Sequence, residues 1–104
     1  MDKLALIQAI LGSDWKTEES AFTVGECVLI CTVTRYLTGR IKAIRGSFLT
    51  LEDAAWIADT GRFTNAIKDG SLSEVEPVFD DVRVNVGSIV DVYKWKHALP
   101  REQR

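Results

Sequence analysis

Three groups of residues in this 104-residue chain have types and spacings that could do chemistry. The first is Arg40, Lys42, Arg45 and Phe48. Arg40 and Lys42 fall on one face of a strand, Arg45 sits in a turn, and an aromatic follows it. Repeated around an oligomer, this set would make a basic band for phosphates, with Phe48 placed to stack a base. The competing reading is a solvated hairpin whose charges point outward. The second group is Trp56, Asp59, Arg62, Phe63 and Asn65. Loops that mix aromatic and charged residues often carry binding. A helix opening near Thr60-Gly61 could hold an anion with help from Arg62. Against this, Trp56 and Phe63 could anchor the segment on the body, with Asp59 paired to Arg62. The third group is Tyr93, Trp95 and His97, which alternate with Lys94 and Lys96. Strand alternation puts the three rings on one face, as an interface or as core packing.

Other chemistries find no support. The sequence holds no phosphate-cradling glycine loop, no metal-ligand cluster and no nucleophile elbow. Glu52-Asp53 and Asp80-Asp81 are sequence neighbours, so on strands they face opposite sides and form no catalytic pair. No motif gives His97 a nucleophile or a second base. The expectation is a non-enzymatic protein with no cofactor and no metal. Net charge is −2, whereas free nucleic-acid binders usually carry a basic excess. A nucleic-acid role would therefore need a local patch or an oligomer. Cys27 and Cys31, four apart on a strand, would stand about 13 Å apart, beyond disulfide reach. Free thiols suit a reducing cytoplasm. No apolar stretch reaches the ~18 residues of a membrane span. Leu4 to Leu11 lacks the flanks of a signal peptide. The expected location is the cytoplasm, with no membrane association.

The elements that must position these residues read as one domain over 1–104. Residues 1–12 read as a helix between Asp2 as N-cap and Gly12 as C′ residue. It is apolar nearly all round and should be buried on more than one side. Trp15 should pin the following connector to the body. Strands one to three fall within 23–58. Cys27 to Tyr36 is rich in β-branched residues, and its unbroken apolar start predicts cover on both faces. Gly39 to Ile44 is the second strand, with a bend before the turn Arg45-Gly46-Ser47. Phe48 to about Ile57 is the third, and its length predicts strong curvature or an early end near Ala54. A short inserted helix spans 60–70, from Thr60 as N-cap to Gly70 as C′ residue. Residues 71–81 read as a connection, because Pro77 argues against a central strand. Strands four and five occupy 82–95 around the break at Gly87-Ser88. The tail from His97 should fray or lie on the surface.

Two stretches resemble the Sm-like family. Leu37-x-Gly39-x-Ile41-x-x-Ile44, followed by Phe48, Leu49, Leu51 and Asp53, looks like the first Sm motif. Val84-x-Val86-Gly87-x-Ile89-Val90-x-Val92 resembles the second. The chain is also similar to small Sm-like proteins of phage or mobile-element origin, from which no function is carried over. The resemblance implies a mainly β fold: a small five-stranded Sm-like or SH3-like barrel with an N-terminal helix and one short inserted helix. It also implies subunits that pair edge strands into rings. The family's uridine site uses an aspartate and an asparagine near the second turn and an arginine before the second motif's glycine. Here Arg45, Phe48 and Val86 stand at those positions, and the turn is one residue shorter. The barrel resemblance survives and the RNA-site resemblance does not. The expected function is therefore a structural or protein-interaction subunit of a homo-oligomer. The alternative is an RNA- or DNA-binding module through Arg40, Lys42, Arg45 and Phe48.

Overall fold

The computed structural model describes residues 22–104. The predicted helix over 1–12 and Trp15 lie outside the described residues. The elements are β1 (Cys27–Thr32), β2 (Tyr36–Arg45), β3 (Phe48–Asp59), helix α1 (Phe63–Asp69), β4 (Glu74–Pro77), β5 (Val82–Asn85), a 3-10 turn (Val86–Ser88) and β6 (Ile89–Lys94). The sheet runs β4-β3-β2-β1-β6, and β5 also pairs with β3. Every pairing is antiparallel. Among the described residues the fold is mainly β with one short helix. Among the described residues no helix is long and apolar enough to cross a membrane.

Burial on both faces of β1 explains its unbroken apolar run. Val28 and Ile30 join Leu37, Ile41, Leu49, Leu51 and Val84 in one cluster inside the curved sheet. Leu29, between them, belongs to a second cluster with Ile57, Ala66, Val75 and Trp95 on the other face. Helix α1 and the segment after β6 supply that second cover through Ala66 and Trp95. Gly39 marks the tightest approach within the sheet. A Cβ there would come within 3.0 Å of Leu51 Cβ and 3.3 Å of the Glu52 carbonyl. The bend therefore falls where β2 has no side chain to obstruct it. The β2 register shifts between Thr38 and Arg40 and again between Ile41 and Ala43, so the irregularity begins earlier than the bend expected just before the turn.

Several boundaries differ from the sequence reading, each for a local reason. The first strand stops at Thr32 rather than Tyr36. The turn has no glycine or proline; instead the Thr32 hydroxyl organises it. Thr32 Oγ1 accepts the Thr34 and Arg35 amides at 3.3 and 3.1 Å and donates to the Arg35 carbonyl at 2.9 Å. The hairpin after β2 is a tight Gly46-Ser47 turn, with Arg45 opposite Phe48. Gly46 takes φ +56°, as turns matched to strand twist require. Helix α1 begins at Phe63 with Arg62 as N-cap, and no side chain caps it. Thr60 Oγ1 is instead turned to the Gly61 carbonyl at 2.8 Å. Gly70 does close the helix in the left-handed conformation.

Two corrections are larger. Residues 74–77 are a strand, so the described sheet has six strand segments rather than five. β3 is 12 residues long and holds both β4 and β5, laid end to end along it. Pro77 is tolerated because it is the last residue of β4 and pairs only with Ala55. The segment after β6 ends on the surface, with Arg101 to Arg104 exposed, but it is hydrogen-bonded rather than frayed. Trp95 Nε1 donates to the Ala98 carbonyl at 3.1 Å, and Pro100 is buried. Arg104 exchanges two backbone hydrogen bonds with Val75, at 3.0 and 3.1 Å. These residues therefore cover the outer edge of β4.

Candidate interaction surfaces

The hairpin carries the predicted basic band, but carboxylates engage two of its cations. Arg40 Nη1 lies 2.9 Å from Asp53 Oδ2 and 3.4 Å from Glu52 Oε2. Arg101 reaches the same Asp53 oxygen at 3.2 Å. Lys42 Nζ donates to Asp81 Oδ2 at 2.7 Å. The hydrogen bond that Arg40 donates to Asp53 pushes its guanidinium pKa up, and the one that Lys42 donates to Asp81 does the same for Lys42. Both side chains are substantially exposed, so these pairs add little stability. Their consequence is electrostatic: Arg40 and Lys42 do not offer free positive charge. Arg45 and Phe48 remain exposed across the turn from each other. They share a cleft with Arg83, Asp80 and Asp81.

The second predicted group is divided between the two faces of the sheet. Phe63 packs against the outer cluster between Tyr36 and Tyr93, with ring centroids 6.0 and 5.2 Å away. Asp59 Oδ1 accepts the Gly61 amide at 2.7 Å, a donor that an anion near Thr60-Gly61 would need. Arg62 and Asn65 are exposed. Trp56 stands apart from them, 45% exposed, with the Arg35 guanidinium 5.9 Å from its ring centroid. The bulge in β3 accounts for the separation. Asp53 takes φ +51°. Beyond it Ala55 and Ile57 face the outer cluster while Trp56 does not.

The third group is consumed in packing. Tyr93 and Trp95 join the outer cluster. His97 stacks edge-on against Trp95 at 4.9 Å, and its Nε2 lies 2.8 Å from the Ile67 carbonyl. That acceptor requires a hydrogen on Nε2. Burial raises the Tyr36 and Tyr93 phenol pKa values; the Cys31 thiol adds to the first and Asp91 to the second.

Three exposed features escaped the sequence reading. Phe79 is 91% exposed beside Asp80-Asp81. Val33 is 74% exposed at the tip of the β1–β2 turn. Arg35 and Arg83, on different elements, line one cleft with Trp56. Val33 and Arg35 read as strand because no glycine or proline marks their turn. Among the described residues, no group of three His, Cys, Asp or Glu side chains could hold a metal ion. Cys27 and Cys31 are free thiols.

No known family pattern matches the sequence. No curated protein matches it. Among solved structures, a heptameric archaeal Sm protein is similar, with a TM-score of 0.49 and 19% identity over 68% of this chain and 87% of that one.

Proposed function

We propose that this chain is a non-enzymatic subunit of a homo-oligomer and acts as a structural or protein-interaction component. The observation that carries this reading is the state of the strand edges. Among the described residues, β6 pairs only with β1, and β5 only with β3. β6 also exposes Val90 at 61%. An open edge bearing an apolar side chain is a template for another strand, and proteins that stay monomeric usually blunt it. The outer edge of β4 shows such blunting, because Arg104 occupies it. β5 and β6 are different strands, so joining one copy's β5 to the next copy's β6 is a head-to-tail contact. Such contacts close into rings when the rotation allows.

Nucleic-acid binding through Arg40, Lys42, Arg45 and Phe48 is the weaker alternative, because carboxylates engage the first two cations. Sedimentation or native mass spectrometry tests assembly directly. The expected result is a mass of several subunits at micromolar concentration, reduced by Val90→Lys. A strict monomer at high concentration overturns the proposal. An oligonucleotide titration that weakens steeply with salt, and fails with Arg45→Glu, would establish the alternative.

A further inference from the structure

A groove runs along the turn between β1 and β2, and its chemistry differs from that of the rest of the surface. A cleft of about 490 Å³ has Leu37, Trp56, Val78, Val82 and Val84 in its lining. Its polar lining includes Arg35 and Arg83 and contains no carboxylate. A second cleft of about 360 Å³ shares Val33, Arg35 and Trp56 and extends toward Ala58. The two clefts share the wall formed by the turn and Trp56, and we treat them as one groove. Each has a volume in the usual range for sites that take a small molecule or a short chain segment.

The wall of this groove is already ordered. Thr32 Oγ1 holds the turn through three hydrogen bonds to Thr34 and Arg35, and the Val33 amide donates to the Ser88 carbonyl at 3.0 Å. A binder would not have to order that turn, which lowers the entropic cost of association. Neither Arg35 nor Arg83 forms an ion pair among the described residues. This contrasts with Arg40 and Lys42 on the same sheet.

We infer that the groove binds an extended segment of a partner protein that combines apolar side chains with acidic ones. The apolar residues lie against the valines and Trp56, and carboxylates meet the two guanidiniums, whose planar donors suit them. A nucleic acid fits less well. Aliphatic side chains give bases few faces to stack on, and Arg35 already lies over the Trp56 ring. The inference goes beyond assembly, since this groove needs no second copy.

The test uses the full chain and the Trp56 indole N–H signal in NMR, assigned with Trp56→Phe. The probe is a pool of end-blocked ten-residue peptides with two fixed leucines flanked by Asp and Glu. The control pool carries Lys and Arg instead. The acidic pool should shift the Trp56 signal at sub-millimolar concentration, and the basic pool should not. Arg35→Glu and Arg83→Glu should each weaken binding about tenfold, leaving the subunit mass unchanged. That unchanged mass separates failure here from failure of assembly. No shift with the acidic pool, or a shift indifferent to both arginine variants, overturns the inference. Tighter binding of a fifteen-nucleotide oligothymidylate overturns it in favour of nucleic acid. A Trp56 signal that moves on dilution alone assigns the groove to a second copy. One that moves on Leu6→Asp without peptide assigns it to the chain's own first residues.

Discussion

The two halves of β3 follow opposite rules, although one strand carries both. Before Asp53, Leu49 and Leu51 are fully buried in the interior and the half pairs with β5. After it, the half pairs with β4, Ile57 is buried against the outer cover, and Trp56 is left 45% exposed. The hairpin's charges divide in the same way. Arg40 lies beside the first half and is tied to Glu52 and Asp53, and Lys42 is tied to Asp81. Arg35, beside the second half, meets an indole and, among the described residues, no carboxylate. The same residue types at two ends of one hairpin therefore do different things. A cation in the sequence is available to a ligand only where the fold brings it no acid.

The largest test of this contrast compares Leu51→Ala with Trp56→Ala. Leu51 is fully buried, so its truncation should cost about 3 kcal/mol. Trp56 loses a larger side chain but a half-solvated one, and its truncation should cost only about 1 kcal/mol. Denaturant unfolding of both variants checks this. Equal losses would mean that Trp56 is structural and that the two halves do not differ.

Asp53 is the joint between the halves, and the next effect is read there. At φ +51°, an alanine would pay the left-handed penalty of about 1 kcal/mol, and a glycine would not. Both would lose the contacts to Arg40 and Arg101. Asp53→Ala should therefore be less stable than Asp53→Gly by about 1 kcal/mol in denaturant unfolding. If the two are equal, the backbone at the joint is not strained and the bulge has another cause.

Much of this was legible in the sequence where periodicity or glycine spoke. The unbroken apolar start of β1 announced cover on both faces, and Gly46 and Gly70 marked their turn and cap. The features that were missed depend on single side-chain hydrogen bonds or on cross-strand register. Thr32 makes a turn without a turn residue. Pro77 hides a strand because it happens to be that strand's last residue. The segment after Trp95 looked polar and loose, yet Pro100 is buried and Arg104 pairs with Val75. The candidate sites were less legible than the fold. Arg40 and Asp53, or Arg35 and Trp56, meet only across strands, and sequence spacing does not report which charges will meet.

Thr38 sharpens the comparison from beneath the sheet. It lies opposite Ala55 in the second half of β3, is fully buried, and its hydroxyl has no hydrogen-bond partner among the described residues. A buried hydroxyl without a partner costs roughly 1 kcal/mol or more. Thr38→Val keeps the shape and should leave stability unchanged or raise it by up to about 1 kcal/mol in denaturant unfolding. A clear loss would mean that the hydroxyl has a partner among residues 1–21 or in a second copy.

The smallest effect comes at alkaline pH, where Tyr36 and Tyr93 flank Phe63 over the second half of the hairpin. Burial raises both phenol pKa values above their ordinary 10.0. The unfolded chain therefore releases these protons at lower pH than the folded one. The stability they contribute is whole below pH 10 and falls as pH rises through the folded values. Lys42, whose pKa is raised by Asp81, loses its contribution in the same direction at a similar pH. Tyr36→Phe separates the two, because it removes a phenol and leaves Lys42 in place. Thermal unfolding at pH 8 and pH 11 should show a smaller drop for Tyr36→Phe than for the parent chain. An equal drop would place the alkaline loss with Lys42 and the hairpin's other end.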